Sequence, residues 1–131
     1  MANLSTIATA GRDFQDGGYK INYGVYSPTV TTVLGIVNAN LGNSFRDVRT
    51  GNRAIAVHNL KDGQSLTVLV QGALSNVITI AVFSDAGVTS VPVKYGAGQS
   101  GTMASTYSLF TVYRVGGDLN FAVIGPIHGI V

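Results

Sequence analysis

Short segments in which apolar and polar side chains alternate are the feature of this sequence that most constrains its fold. In Ser65–Gln71, the apolar residues Leu66, Val68 and Val70 occupy every second position. Successive side chains of a β-strand point to opposite faces, so this spacing is typical of a strand with one buried face. Similar segments recur between turn residues, which predicts about eight strands: Thr29–Val37, Phe45–Thr50, Arg53–Asn59, Asn76–Phe83, Thr89–Lys94, Tyr107–Val115 and Leu119–Gly125.

The composition favours the same fold class. All six acidic residues are aspartate, and seventeen of the 131 residues are glycine. Glutamate is a good helix former, whereas aspartate and glycine favour turns. We therefore predict an all-β protein with a single β-sandwich of jelly-roll type at residues 28–131, preceded by an irregular N-terminal arm at residues 1–27. The alternation predicts a core made of one set of residues or of their alternating neighbours: Leu66, Val68, Val70, Ile78, Ile80, Val82, Leu109 and Val123.

Two local signals predict turns and edges. Lys61–Gln64 contains Asp-Gly, the pair that supplies the positive φ angles of a tight hairpin. Pro92 interrupts the segment Thr89–Lys94, and because proline has no backbone N–H it is typical of an edge strand or a bulge.

Several classes of protein and site do not fit the composition. The chain has no cysteine, so disulfides and thiolate metal sites are excluded. Charged residues make up 11% of the chain, and the one basic cluster is Arg46, Arg49 and Arg53, which does not resemble a nucleic-acid interface. No apolar run approaches the roughly 18 residues that a membrane-spanning helix needs. Residues 1–5 do not resemble a secretory signal, so we expect synthesis in a cytoplasm.

We find no residue pattern of an enzyme or of a cofactor site. His58 and His128 are the two histidines, and we interpret His58 as a strand residue and His128 as a contact residue. Asp62, Asp85 and Asp118 lie in predicted turns, where aspartate accepts hydrogen bonds from the backbone. We therefore expect no catalytic residue, no metal site and no cofactor.

The N-terminal arm contains more aromatic residues than a free tail does. Phe14, Tyr19, Tyr23 and Tyr26 are our candidate partner-docking residues, because tyrosine and phenylalanine are enriched at interfaces. Two other interpretations remain open: the tyrosines plug one end of the sandwich, or the arm folds back over its own domain.

Five elements in order resemble a recurrent series in structural proteins of tailed bacteriophages. Asn59–Gly72 resembles their strand-turn-strand motif, with Asp-Gly-Gln in the turn. Gly51–Val57 resembles the strand before that motif, and three later strands have counterparts in Asn76–Ile80, Ser108–Arg114 and Asn120–Gly125. Phe121 stands where these proteins usually have tryptophan. The resemblance covers about residues 30–125.

The resemblance implies a β-sandwich module of a fibre, knob or capsid decoration, commonly trimeric. We accordingly expect a non-enzymatic virion protein, made in the host cytoplasm, that forms a homotrimer and contacts other virion proteins such as the major capsid protein. It is expected to bind neither nucleic acid nor membrane. The alternative is a receptor-binding or carbohydrate-binding β-sandwich module.

Overall fold

The structure is a computed structural model that describes residues 29–30 and 35–131, and all regular secondary structure in this part is β. The prediction of an all-β protein is confirmed. A six-stranded sheet has the order β1-β3-β5-β9-β10-β8, and a four-stranded sheet has the order β2-β4-β6-β7. The ten described strands are β1 (Thr29–Val30), β2 (Ile36–Asn38), β3 (Ser44–Asp47), β4 (Arg53–His58), β5 (Ser65–Gln71), β6 (Ile78–Phe83), β7 (Ser90–Val91), β8 (Val93–Tyr95), β9 (Tyr107–Val115) and β10 (Phe121–Ile130).

The first six strands form a β-solenoid. The chain alternates between the two sheets, and each return places the new strand parallel to the previous strand of that sheet. Thr29 pairs with Arg46 and Arg46 pairs with Leu69, so successive coils are 17 residues (29 to 46) and 23 residues (46 to 69) long. Each coil therefore stacks on the one before it, as repeats do in solenoid proteins.

The prediction of a jelly roll is wrong, because a jelly roll consists of antiparallel strands whereas the first coils are parallel. The predicted turn at Lys61–Gln64 does form: the Gln64 N–H donates to the Lys61 carbonyl at 2.9 Å, and Gly63 has a φ of 75°. It is not a hairpin, since β5 pairs with β3 and β9 and not with β4. A turn changes the direction of the chain over four residues. Tertiary packing then determines which sheet the next strand joins.

Hydrogen bonds connect the successive corners that follow the strands of the four-stranded sheet. The side-chain amide of Asn59 donates to Oδ1 of Asn38 at 3.0 Å. The Asn59 N–H donates to the Asp85 carbonyl and the Leu60 N–H to the Phe83 carbonyl. Leu60 is fully buried, and Asn59 has a φ of 62°, a conformation that asparagine tolerates better than most residues. Hydrogen bonds between coils therefore continue around this corner.

The last four strands close the structure mainly with antiparallel pairing, and β8 pairs with β10 in parallel. β9 pairs with β5 and with β10, and β7 pairs with β6. The loop 96–106 runs across the end of β6, where the Ile78 N–H donates to the Gly101 carbonyl at 2.9 Å and the Met103 N–H donates to the Asn76 carbonyl at 2.8 Å. Met103 is 1% exposed, so its side chain completes the core at this end.

One apolar core lies between the two sheets. It contains the six residues predicted from β5 and β6, which confirms the alternation there. In β9 and β10 the alternative that the prediction left open holds, because Leu109 and Val123 lie outside the core. Their alternating neighbours are buried in it: Phe110, Val112, Ala122 and Ile124.

Candidate assembly surfaces

The predicted docking residues Phe14, Tyr19, Tyr23 and Tyr26 lie outside the described residues, and the proposed boundary of the arm at residue 27 lies there too. The described chain begins at β1, which is an edge strand of the six-stranded sheet. The role of the arm therefore stays a prediction.

The two ends of the solenoid differ. At the first coil, β1 and β2 are the edge strands of their sheets in the described part of the chain. Neither strand contains proline or lysine, and Ile36 at the start of β2 is 44% exposed. Edge strands present backbone N–H and C=O groups that can pair with another strand. The first coil is therefore a surface on which further β-structure can be added.

The opposite end is protected against such pairing. Its edge strands are β7 and β8, two and three residues long, and Pro92 lies between them. The edge position of Pro92 agrees with the prediction. Lys94 in β8 is exposed, with Nζ 4.7 Å from the centroid of the Phe121 ring. Short strands, proline and lysine are the features by which proteins prevent pairing at sheet edges.

The side of the six-stranded sheet that faces away from the core carries many apolar side chains, interrupted by Ser65, Thr67 and Thr111. Leu69 lies opposite Leu109, and Leu109 lies opposite Ile127. Along the same side, Tyr113 lies opposite Val123, with exposures of 45% and 36%, and Ile127 is 56% exposed. We call this surface the outer apolar face and define it by eight residues: Leu69, Tyr107, Leu109, Tyr113, Val115, Phe121, Val123 and Ile127.

Charge on this side of the sheet is confined to its flanks. Arg46 on β3 lies beside Leu69, and Lys94 on β8 lies beside Val123. The described strand positions that point to this side carry no carboxylate. At one end, a groove of about 480 Å³ is lined by Arg46, Leu69, Gln71, Tyr107, Ile130 and Val131. An apolar centre with charge at the rim is the usual composition of a protein interface.

The basic cluster identified in the sequence is divided by the fold. Arg46 is exposed, whereas Arg49 and Arg53 contact Asp47, which is completely buried. Arg49 donates to the carboxylate through Nη2 at 2.6 Å and through Nε at 3.0 Å, and Arg53 Nε lies 3.4 Å from Oδ2. Both arginines also donate to backbone carbonyls, Arg49 to Ala54 and Arg53 to Gly51 and Gln71. These contacts stabilise the conformation of the turn between β3 and β4.

Burial alone would raise the pKa of Asp47. Hydrogen bonds from the side chain and backbone of Arg49 lower it, and the positive charges of Arg53 and Arg49 lower it further, so the net pKa lies below the ordinary value of 3.8. The carboxylate is therefore charged and already satisfied by its neighbours. This arrangement is that of a structural ion cluster.

His128 makes a contact that the sequence did not reveal. Its Nδ1 lies 2.7 Å from Oγ of Ser108, and its Nε2 lies 2.8 Å from the carbonyl oxygen of Ser100. A carbonyl only accepts, so Nε2 carries the proton and Nδ1 accepts from the Ser108 hydroxyl. Ser108 is fully buried, which keeps its hydroxyl from a substrate. The contact joins β10 to the loop 96–106.

This pair was missed because its partners are 20 residues apart and meet only through the β9–β10 register, which shifts between Ile127 and Ile130. His58 lies in β4 as predicted, and its ring packs edge-on against Phe83 at 5.4 Å.

Within the described ranges, no group of three or more histidine, cysteine, aspartate or glutamate side chains is placed to hold a metal ion. That part of the chain also has no helix long and apolar enough to cross a membrane. Comparison of the chain with protein-family models, with curated proteins and with solved structures found no match.

Proposed function

We propose that this chain is a non-enzymatic structural protein of a tailed-bacteriophage virion, either a capsid decoration or knob or a component of a tail fibre. It is made in the host cytoplasm and assembles as a homotrimer with other virion proteins, such as the major capsid protein. No nucleic acid or membrane takes part. The observation that carries this proposal is the contrast between the two ends of the solenoid.

Solenoid proteins add coils along one direction and need a protected coil where the stack ends. Here the protected end consists of β7 and β8 with Pro92, and of the loop 96–106 with Met103 in the core. At the other end, β1 and β2 are the edge strands of the two sheets in the described part of the chain. A module with one receptive and one protected end suits the tip of a larger assembly. The order of motifs that resembles phage structural proteins agrees with this role.

In this proposal the arm, residues 1–27, attaches the module to the particle through Phe14, Tyr19, Tyr23 and Tyr26. Aromatic side chains supply a large contact area with little loss of conformational freedom when they dock. The glycines of the arm, such as Gly17 and Gly18, give it reach.

The test is incorporation into particles. We expect a variant that lacks residues 2–18 to keep the circular dichroism spectrum of a β-protein and to be missing from purified virions, as measured by immunogold electron microscopy. Val88→Ala, at an 86% exposed turn position, is the control and should be incorporated normally. Wild-type labelling of particles by the truncated protein would disprove docking through the arm. If full-length protein does not label particles at all, the virion assignment fails.

A receptor-binding or carbohydrate-binding module is the second candidate, and the groove of about 480 Å³ favours it. The groove combines the Tyr107 ring with the cation of Arg46 and the amide of Gln71, which are groups that can stack on a sugar and hydrogen-bond to it. A glycan array distinguishes the two. We expect no binding, and a signal that Tyr107→Ala removes would favour the second candidate.

A further inference from the structure

We infer that the contact of His128 with Ser108 and Ser100 is sensitive to pH: the neutral imidazole holds the loop 96–106 in place, and protonation of the ring loosens that loop. The inference is independent of the proposed function. It concerns the end of the core that the loop closes, where Met103 is buried.

The imidazole of His128 connects three parts of the structure. Its Nδ1 lies 2.7 Å from Oγ of Ser108 on β9, and its Nε2 lies 2.8 Å from the carbonyl oxygen of Ser100 in the loop. The ring also packs edge-on against Phe110 of the core, with 5.6 Å between the ring centroids. A movement of the ring therefore affects the strand and the loop together.

The hydrogen bonds of the ring require its neutral form. The Ser100 carbonyl only accepts, so Nε2 carries the proton and Nδ1 accepts from the Ser108 hydroxyl. Protonation adds a hydrogen to Nδ1 that points at this hydroxyl. Ser108 is fully buried, and within the described part of the chain its hydroxyl has no second partner to which it could donate. The protonated ring of His128 therefore leaves a buried hydroxyl without an acceptor or moves away from it, and both cost free energy.

Movement of the ring weakens the attachment of the loop. It removes the hydrogen bond to the Ser100 carbonyl, and the next residue, Gly101, accepts from the Ile78 N–H at the end of β6. The loop also carries Met103, which is 1% exposed. A loosened loop therefore lets solvent reach the Met103 side chain more often.

The surroundings of the ring contain no carboxylate that would stabilise its charged form. In the described structure, β8, β9, β10 and the loop 96–106 have no aspartate or glutamate, and the two tyrosines of β9 point to the outer side of the sheet. Lys94 of β8 lies beside Val123 on that outer side, and Arg114 is six positions along β9 from Ser108 (108 to 114). Tyr95 of β8 packs against the core, and burial raises the pKa of its phenol above 10, so it stays neutral.

The direction of the pH effect follows from the form of the ring that makes the contact. Histidine is the side chain whose charge ordinarily changes between about pH 5 and pH 8. The contact needs the neutral ring, so it is complete at the upper end of this range and is lost as the pH falls. We expect a closed loop at about pH 8 and a looser one at about pH 5.

The test is the rate at which hydrogen peroxide oxidises Met103, measured by mass spectrometry of peptides. Methionine sulfoxide forms where the thioether is accessible, and free methionine in the same solution corrects for the reagent. We expect the corrected rate in the wild type to rise about tenfold between about pH 8 and about pH 5, the size expected when one buried hydroxyl loses its acceptor.

Three variants assign the effect to this contact. His128→Gln cannot be protonated in this range, so its rate should be the same at both pH values. Ser108→Ala keeps the ring but removes the hydroxyl that opposes its protonation, so most of the pH dependence should be lost. His58→Gln removes the other histidine, in β4, and should keep the tenfold rise. Circular dichroism checks that each variant is folded.

A wild-type rate that is the same at both pH values would overturn the inference. So would a rise that persists in His128→Gln, or one that disappears in His58→Gln. If His128→Gln does not fold, the comparison of Ser108→Ala with the wild type decides, and an unchanged tenfold rise in Ser108→Ala would overturn the inference.

Discussion

The coiled region, residues 35–83, and residues 90–130 use β-strands in different ways. We call the second the antiparallel region after its longest strand pair, β9 with β10; its short strand β8 pairs with β10 in parallel. In the coiled region each strand pairs with one from the next coil, as Arg46 does with Leu69, so the partners are 23 residues apart (46 to 69). In the antiparallel region β9 and β10 are joined by a short turn, and Val115 pairs with Phe121 only six positions later. The first kind of pairing depends on corners and the second depends on a local turn.

This difference accounts for the buried ion cluster of the coiled region. In a hairpin, the backbone N–H and C=O groups form hydrogen bonds with the neighbouring strand. At a corner between coils some carbonyl groups have no such partner, and a side chain must donate a hydrogen bond to them. In the coiled region, Arg49 and Arg53 reach the carbonyls of Ala54, Gly51 and Gln71, and Asp47 holds both guanidinium groups in place. The ion cluster therefore maintains the spacing between coils.

The largest effect is expected for Asp47→Ala. The substitution leaves Arg49 and Arg53, whose side chains are 10% and 5% exposed, without their carboxylate. Removing one partner of a buried ion pair costs about 3–5 kcal/mol in the free energy of unfolding, which urea denaturation measures. Because the pKa of Asp47 is lowered, its contribution to stability is present above pH 3.8 and is lost as the pH falls through the lower, folded-state value.

Asp62→Ala is the matched control, because Asp62 lies in the turn before β5 and pairs with Arg114 of β9. Asp62 lies 3.4 Å from Arg114, but its own side chain is 67% exposed. Arg114 is 7% exposed, but it also donates to the Val115 carbonyl and to Oδ1 of Asn120, so it keeps partners when the Asp62 carboxylate is removed. We therefore expect a loss of at most about 1 kcal/mol, as for an ion pair whose acid is exposed to solvent. A loss of stability for Asp47→Ala as small as that expected for Asp62→Ala would show that the coils do not depend on the buried cluster.

The same difference decides how much of the fold the sequence could predict. Ser65–Gln71 and Tyr107–Val115 were predicted with the bounds that the structure has, because alternation is a local signal. The turn at Lys61–Gln64 was also predicted. The path after it was not, since β5 joins the opposite sheet and its parallel partner β3 is remote in sequence.

Other differences come from single backbone positions. Thr29–Val37 was predicted as one strand, but it contains two strands of different sheets, β1 and β2, and Gly35 just before β2 has a φ of 58°. Pro92 likewise separates β7 from β8. Of the candidate surfaces, the outer apolar face could have been found from Leu109, Tyr113 and Val123, which alternate with the core residues. Each of these strands has two alternating groups of side chains, one on each face. Which group points to the core was not predictable, because both groups are apolar.

A second prediction concerns the seam between the two regions, where Gly101 faces the end of β6. A Cβ added at Gly101 would lie 1.9 Å from the carbonyl oxygen of Ile78, and backbone on both sides leaves little room to adjust. We expect Gly101→Ala to lower the free energy of unfolding by about 2–3 kcal/mol, within the range for overpacked sites. The seam hydrogen bond between Ile78 and Gly101 should then exchange its amide proton faster, as measured by hydrogen exchange.

Gly125→Ala is the control within β10, since a Cβ there would meet nothing within 4 Å. We expect its unfolding free energy to change by less than about 0.5 kcal/mol. A Gly101→Ala protein as stable as Gly125→Ala would mean that the loop 96–106 moves freely and does not close the coiled region.

The smallest effect concerns the turn that connects the two regions, residues 84–89. Oδ1 of Asp85 accepts hydrogen bonds from the N–H groups of Thr89, Val88 and Gly87 at 3.0, 2.9 and 3.2 Å. The bond from the Thr89 backbone is the largest cause that lowers the pKa of Asp85 to about 2, followed by the bond from Val88. These bonds favour the charged carboxylate, so the turn is held fully above pH 3.8 and loosens as the pH falls toward 2.

We expect the amide chemical shifts of Gly87, Val88 and Thr89 to titrate together with a midpoint near pH 2 in NMR spectra. Asp85→Asn is the control, because an amide oxygen still accepts a hydrogen bond but does not ionise in this range. That variant should lose the titration at these three amides while the shifts in β9 and β10 stay as in the wild type. A midpoint at or above 3.8 in the wild type would show that the carboxylate does not hold the turn, and that the two regions are connected by a loop without a fixed anchor.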